Sequence, residues 1–129
     1  MLSYTVKLAP VTKKNHQRIM VSGNRRFIAP SKQYQEYAQQ SGWFLQPAPE
    51  KPIDYRCNVK CLFFLPTRRR TDLTNLLESI DDILVDSGVL ADDNYMIIAS
   101  HDGSRCFVDK ENPRTEIYIE RMQDEQNLL

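Results

Sequence analysis

Three consecutive arginines, Arg68, Arg69 and Arg70, stand directly ahead of the densest acidic stretch of the chain. From Thr71 to Asp93 there are seven acidic residues, Asp72, Glu78, Asp81, Asp82, Asp86, Asp92 and Asp93, and no basic one. Carboxylates at that density repel each other unless a positive charge offsets them. Oxygen ligands drawn from several chain positions suit a hard ion such as Mg2+, which takes one or two protein carboxylates together with water and substrate phosphate. Arginines beside such an ion would hold a phosphodiester, while the ion activates water and stabilises the leaving oxygen. Asp72 falls at a helix start, where a carboxylate can also serve as a cap with no chemical role. Asp92 and Asp93 follow the apolar Val89-Leu90 in a loop and come near Asp72 only if the next strand returns beside the helix. Asp81, Asp82 and Asp86 are expected on a solvated helix face.

The remaining chemically versatile residues point to less. His16 and His101 match neither a zinc spacing nor a general-base pairing, and are expected as surface or hydrogen-bonding residues. Cys57, Cys61 and Cys106 include no CxxC pair, and three thiols cannot close a disulfide framework, so reduced cysteines in a cytoplasm are expected. Cys57, Val59 and Cys61 alternate along one strand face and read as small core side chains.

The elements that must position these residues follow from patterning. Residues 4–8 alternate as an edge strand that Pro10 stops, and residues 11–18 are a basic loop without an apolar stripe. Ile19-Met20-Val21 and Arg26-Phe27-Ile28 read as a hairpin around Ser22-Gly23-Asn24. Ser31 caps an expected helix over residues 32–43, with Tyr34, Tyr37 and Ala38 inward. The proline-rich residues 47–52 form a stiff linker too short to separate domains. A strand is expected over 55–65, ended by Pro66. Leu73, Leu76, Leu77, Ile80, Ile83 and Leu84 follow helical spacing over 72–87, with Gly88 at the stop. Residues 95–100 and 116–120 read as strands joined by a polar loop containing Gly103 and Pro113. Residues 123–129 are expected to be a frayed tail.

Composition bounds the class. A chain of 129 residues has the size of one domain, here expected over 1–122. No apolar run approaches the ~18 residues of a membrane span, and the N-terminus lacks the pattern of a secretory signal, so a non-exported protein without a membrane partner is expected. Net charge is zero, yet residues 1–70 hold 13 basic against 3 acidic residues (+10) and residues 71–129 hold 4 against 14 (−10). Either the basic half presents a face to phosphate, or the halves neutralise each other across the folded surface.

The run Leu65-Pro66-Thr67-Arg68-Arg69-Arg70-Thr71-Asp72-Leu73-Thr74-Asn75-Leu76, with Ile80-Asp81-Asp82-Ile83-Leu84, Ser87-Gly88-Val89 and Leu90-Ala91-Asp92-Asp93, resembles the signature of RusA-type Holliday junction resolvases. Their shared pattern includes R-R-R-x-D-L-D-N-L, then a helix with an Asp ten residues after the first, a glycine and a terminal D-D. Spacing identity is strong over residues 65–93 and weaker elsewhere. The resemblance implies an α+β fold with a mixed β-sheet and two main helices. It also implies a homodimeric, Mg2+-dependent endonuclease of phage or prophage type that nicks four-way DNA junctions symmetrically, in a bacterial or host cytoplasm. Carried over by position, Asp72 matches the first metal-binding acid, Asp93 the acid after the helix with Asp92 beside it, Asn75 the asparagine, and Arg68, Arg69 and Arg70 the basic run. Two positions depart: the family's second acid falls on Thr74, and a lysine associated with activity falls on Glu78.

The resulting expectation is a structure-selective DNA endonuclease with Asp72, Asp93 and Glu78 catalytic. Asp72, Asp93, Asp92 and Glu78 would take the metal. Lys13, Lys14, Arg18, Arg25, Arg26 and Arg68 to Arg70, with Asn75, would face DNA. Glu78 stands four residues after Thr74 on the same helix face and leans toward the missing acid, so it is expected to restore that carboxylate. Three rivals stay open at this level: a catalytically weak branched-DNA-binding protein, an RNA-directed nuclease, and an interaction domain whose basic and acidic halves pair between subunits.

Overall fold

Alternation along two strands dictates the centre of the fold. In a computed structural model of the chain, which describes residues 1–14 and 17–123, β4 (Cys57–Leu65) and β7 (Arg114–Arg121) run antiparallel with every second side chain buried. Val59 lies opposite Ile119, Cys61 opposite Ile117 and Phe63 opposite Thr115 on the core face. The reverse face carries Lys60 over the Tyr118 ring and the Arg114 guanidinium over Phe64. A sheet with one greasy face needs one cover, and two helices supply it.

Those helices are α1 (Lys32–Phe44) and α2 (Leu73–Asp86). The Ser31 hydroxyl accepts the Tyr34 amide at 3.1 Å, the expected cap, and Tyr34 and Tyr37 turn inward. Leu76, Ile80, Ile83 and Leu84 are buried along α2 against the same cluster as Val6, Val59 and Ile117. Gly88 (φ +80°) reverses the chain beyond α2, where a side chain would be strained. The turn sends Val89 and Leu90 back into the core, and the Leu90–Ile53 bridge ties them to the segment after the proline linker.

The fold is α+β with a mixed sheet in the order β1-β7-β4-β5, β1 being Leu2–Val6 and β5 Ile98–Ser100. A further strand, β6 (Arg105–Val108), pairs in parallel with the C-terminal half of β4, where the sequence reads only as a polar loop. Four residues between Gly103 and Pro113 are too few for a periodic signal, and the exposed edge of β4 supplies the template. Before β5, the Asn94 carbonyl accepts the amides of Ile97 and Ile98, so the expected strand over 95–100 is shortened by a turn. The expected hairpin forms as β2 (Arg18–Ser22) and β3 (Arg25–Ala29), a two-stranded sheet of its own. Among the described residues, no helix is long and apolar enough to cross a membrane. His16 and most of the expected tail lie outside the described residues.

Candidate nucleic-acid and metal site

α2 begins where the arginine run ends, and its first residues form one wall of an open cleft of about 410 Å³. Three segments meet there: residues 9–14 after β1, residues 65–71 after β4, and Asp72 with Asn75 at the head of α2. Gln33 from the start of α1 closes the fourth side. The cleft thus gathers Lys14, Arg69 and Arg70 about a single carboxylate, with Thr12 and Thr71 as neutral hydroxyls.

Asp72 occupies the N-cap position, yet its side chain makes no capping hydrogen bond. Among the described residues it accepts from the Asn75 amide alone, through Oδ2 at 3.3 Å. A carboxylate at a helix start usually takes the free amides of the first turn. Helix capping therefore does not account for the Asp72 side chain, which lines the cleft. Helix amides left unsatisfied beside three arginines also favour an anion at the same end.

The basic loop is pinned onto α2 by contacts invisible in the sequence. The Lys13 amide donates to buried Ser79 Oγ at 2.8 Å, and Ser79 Oγ donates to the Asn75 carbonyl. Lys13 Nζ reaches Asp82 Oδ2 at 3.1 Å and Lys14 Nζ reaches Glu78 Oε2 at 3.4 Å. Part of the charge asymmetry is therefore cancelled internally, as the neutralisation alternative requires. Arg68, Arg69 and Arg70 are exposed and, among the described residues, pair with no carboxylate. The same holds for Arg25 and Arg26, while Arg18 donates to the Pro30 carbonyl. The two accounts of the asymmetry thus divide the basic residues near the cleft: Lys13 and Lys14 meet carboxylates, whereas Arg68, Arg69 and Arg70 meet none among the described residues.

Asp81 corrects the expectation of a solvated face. It is buried, with Oδ2 2.8 Å from His101 Nε2 and Oδ1 enclosed without a hydrogen-bond partner. The His101 Nδ1–H donates to the Val59 carbonyl at 2.8 Å. His101 follows β5 and reaches Asp81 in the middle of α2, so this carboxylate is covered by a tertiary contact. Burial pushes the Asp81 carboxyl up, partly offset by His101. Burial alone would depress the imidazole, but the hydrogen bond and charge of Asp81 outweigh it and raise His101. The hydrogen-bonding expectation for His101 is met, with a partner that no sequence spacing signals. Asp82 is half-buried against Lys13, and Asp86 is exposed as expected.

A match to a family model then fixes lineage: the model described as "Endodeoxyribonuclease RusA" covers residues 7–120. The chain belongs to the RusA endodeoxyribonuclease family. It is also 39% identical over 44 residues to the crossover junction endodeoxyribonuclease RusA of Aquifex aeolicus (strain VF5), a match covering 34% of this chain and 35% of that protein. The chain thus spans about a third of that relative's length. The RusA match takes in the cleft, the hairpin and both helices.

Within this RusA fold Asp72 is among the residues that line the cleft, and Asp92, Asp93 and Glu78 are not. Asp72 faces the cleft, whereas Asp93 lies where the charges of Asp82 and Asp92 are felt. Partial loss of water, the hydrogen bond its protonated form donates to Asp92 and those two charges push the Asp93 carboxyl up. Asp92 accepts the Asp93 amide through Oδ1 at 2.7 Å, a bond that lowers it. Glu78, expected to lean toward Thr74, is engaged by Lys14. Among the described residues, no three His, Cys, Asp or Glu side chains stand within reach of one ion. Mg2+ nevertheless needs only one or two protein carboxylates when water and phosphate complete its shell, and the donor set at Asp72 fits that requirement.

Proposed function

We propose that this chain is a Mg2+-dependent, structure-selective endodeoxyribonuclease that resolves four-way DNA junctions as a homodimer, in recombination and repair in a cytoplasm. One observation carries the reading: an uncapped carboxylate at a helix head, walled by Lys14, Arg69 and Arg70 in a cleft open to solvent. A phosphodiester needs cationic donors, and a hard ion needs an oxygen with free lone pairs. The cleft has both. Asp72 and the Asn75 side-chain oxygen would hold the ion, and Asp93, Asp92 and Glu78 are the further acids that the family pattern assigns to it. When bound, the ion supplies a more acidic water and charge stabilisation at the phosphate. Arg69 and Arg70 bind and orient the phosphodiester, and Asn75 fixes the rotamer of Asp72 through its amide. Leu65 and Pro66 keep one wall of the cleft apolar. A homodimer suits the task, since two symmetric nicks call for two sites related by a two-fold axis.

A second reading is a branched-DNA-binding protein with little catalysis. It is favoured by Thr74 at the second-acid position and by the engagement of Glu78 with Lys14. Cleavage of a four-way junction, a linear duplex and RNA, with Mg2+ and with EDTA, tests both. We expect paired nicks in the junction alone, abolished by EDTA. Tight junction binding without nicks, converted to nicking by Thr74→Asp, would establish the second reading. Glu78→Gln separates the roles of that residue: a metal ligand requires more Mg2+ for half-maximal cleavage, whereas a residue that only steadies Lys14 leaves the Mg2+ requirement unchanged.

Salt dependence tests the division among the basic residues. Arg69→Gln with Arg70→Gln should flatten the slope of log K against log salt by about 1.8, at roughly 0.9 per phosphate contact. Lys13→Gln should leave that slope nearly unchanged, because its ammonium already meets Asp82. An unchanged slope in the arginine variant would place the DNA surface elsewhere.

A further inference from the structure

Residues 18–29 hold three arginines, five large apolar residues and no acid. They fold into the β2–β3 hairpin, whose strands pair with each other and, among the described residues, with no other strand. On one face Ile19 lies opposite Ile28 and Val21 opposite Arg26, with Ile19 75%, Val21 67% and Ile28 67% exposed. The other face sets Met20 opposite Phe27, both also exposed. A lone two-stranded ribbon is marginal in water, and contiguous exposed apolar residues rimmed by charge mark a surface meant for a partner. Its place in the fold narrows the partner. Lys14 before the hairpin and Gln33 after it both line the cleft, so the ribbon grows out of the cleft wall. Arg18 ties its base by donating to the Pro30 carbonyl.

We propose that this hairpin is an apolar wedge that enters the branch point of a four-way junction and packs against its opened base steps. The inference rests on the reading of the chain as a junction nuclease and adds the element that selects the branch. Phosphates would meet Arg18, Arg25 and Arg26, while Ile19, Val21 and Ile28, or Phe27 on the opposite face, would replace lost base stacking. Apolar side chains are inserted between base steps in this way by proteins that kink DNA. A linear duplex must be unstacked to admit them, whereas a branch point already has interrupted stacking, so the wedge favours the junction. A second copy of this chain is a poorer occupant. A symmetric hairpin-to-hairpin contact would bring the arginines of both copies together, with no carboxylate on the ribbon to offset them.

The test uses the full chain in EDTA, so that binding is read without cleavage. Junction and linear-duplex affinities are measured for wild type, for Ile19→Ser with Ile28→Ser, and for Phe27→Ala. A junction carrying 2-aminopurine at the branch point reports unstacking, and sedimentation reports assembly. We expect the double serine variant to lose roughly tenfold or more in junction affinity. Its duplex affinity and salt slope should be unchanged, and the 2-aminopurine brightening seen with wild type should vanish. Ile19→Val with Ile28→Val should retain the brightening, which separates apolar contact from misfolding. Junction preference and brightening that survive in both the serine and the alanine variants would overturn the wedge and leave the nuclease reading standing. A wild type that does not distinguish junction from duplex would overturn both. Loss of self-association in the serine variant, without loss of brightening, would make the face a protein interface and overturn the wedge.

Discussion

Asp72→Asn should lower junction cleavage by at least ~100-fold while junction binding persists, because a metal ligand matters more than the outer-shell partners whose loss costs 10–100-fold. The substitution keeps shape and removes the charge that offsets a cation. No backbone amide depends on the Asp72 carboxylate, since it makes no capping bond, so helix stability should hardly change. Arg69 and Arg70 lose a nearby negative charge, so phosphate binding is kept or slightly strengthened. Cleavage rate against Mg2+ concentration, with affinity measured in EDTA, checks the prediction. Asp93→Asn is expected to lose cleavage as well, by the family pattern. Because Asp93 stands with Asp82 and Asp92 and outside the cleft lining, its Mg2+ titration is the informative measurement. A raised Mg2+ requirement would mean that Asp93 joins the ion when DNA is bound. Near wild-type cleavage by either variant would remove that residue from the machinery.

The second large effect is on stability. His101→Ala should destabilise the fold by about 3 kcal/mol, in the range for breaking a buried pair by removing one partner. That corresponds to a fall of roughly 10 °C in Tm for a chain of this size. Asp81 would then be buried with neither oxygen partnered, since Oδ1 already lacks a partner. His101→Gln, which can still donate to Asp81, should recover part of the loss. With Asp81 ionised both ring nitrogens face acceptors, so the fully bonded form is then the imidazolium. The Asp81 and Val59 contacts hold His101 above its ordinary value of ~6.5. Its stabilising contribution is therefore complete below that value and is lost as pH rises through the raised folded-state pKa. Thermal melts across that window should show wild-type Tm declining toward alkaline pH and a flatter profile in His101→Ala. Parallel profiles would mean that the pair does not share a proton in this range.

Much of this protein was legible without coordinates, for reasons that are local. The α2 stripe from Leu73 to Leu84, the Ser31 cap, the hairpin turn around Gly23 and the alternation of Cys57, Val59 and Cys61 each depend on side-chain periodicity or on one residue's backbone preference. So does the placing of Arg68, Arg69, Arg70 and Asp72 together, since they are neighbours in the chain. What the tertiary structure alone decided are the pairings across long separations. Lys13 meets Asp82 and Lys14 meets Glu78 because the loop after β1 lies across α2. Asp81 is buried because His101 returns from β5, and β6 exists because β4 offers it an edge. Charge counting makes Asp81, Asp82 and Asp86 equivalent, whereas burial makes one a proton-sharing partner, one a lysine anchor and one a solvated carboxylate. The cost of burying a charge depends on what surrounds it in space, and sequence spacing along a single helix carries no record of that.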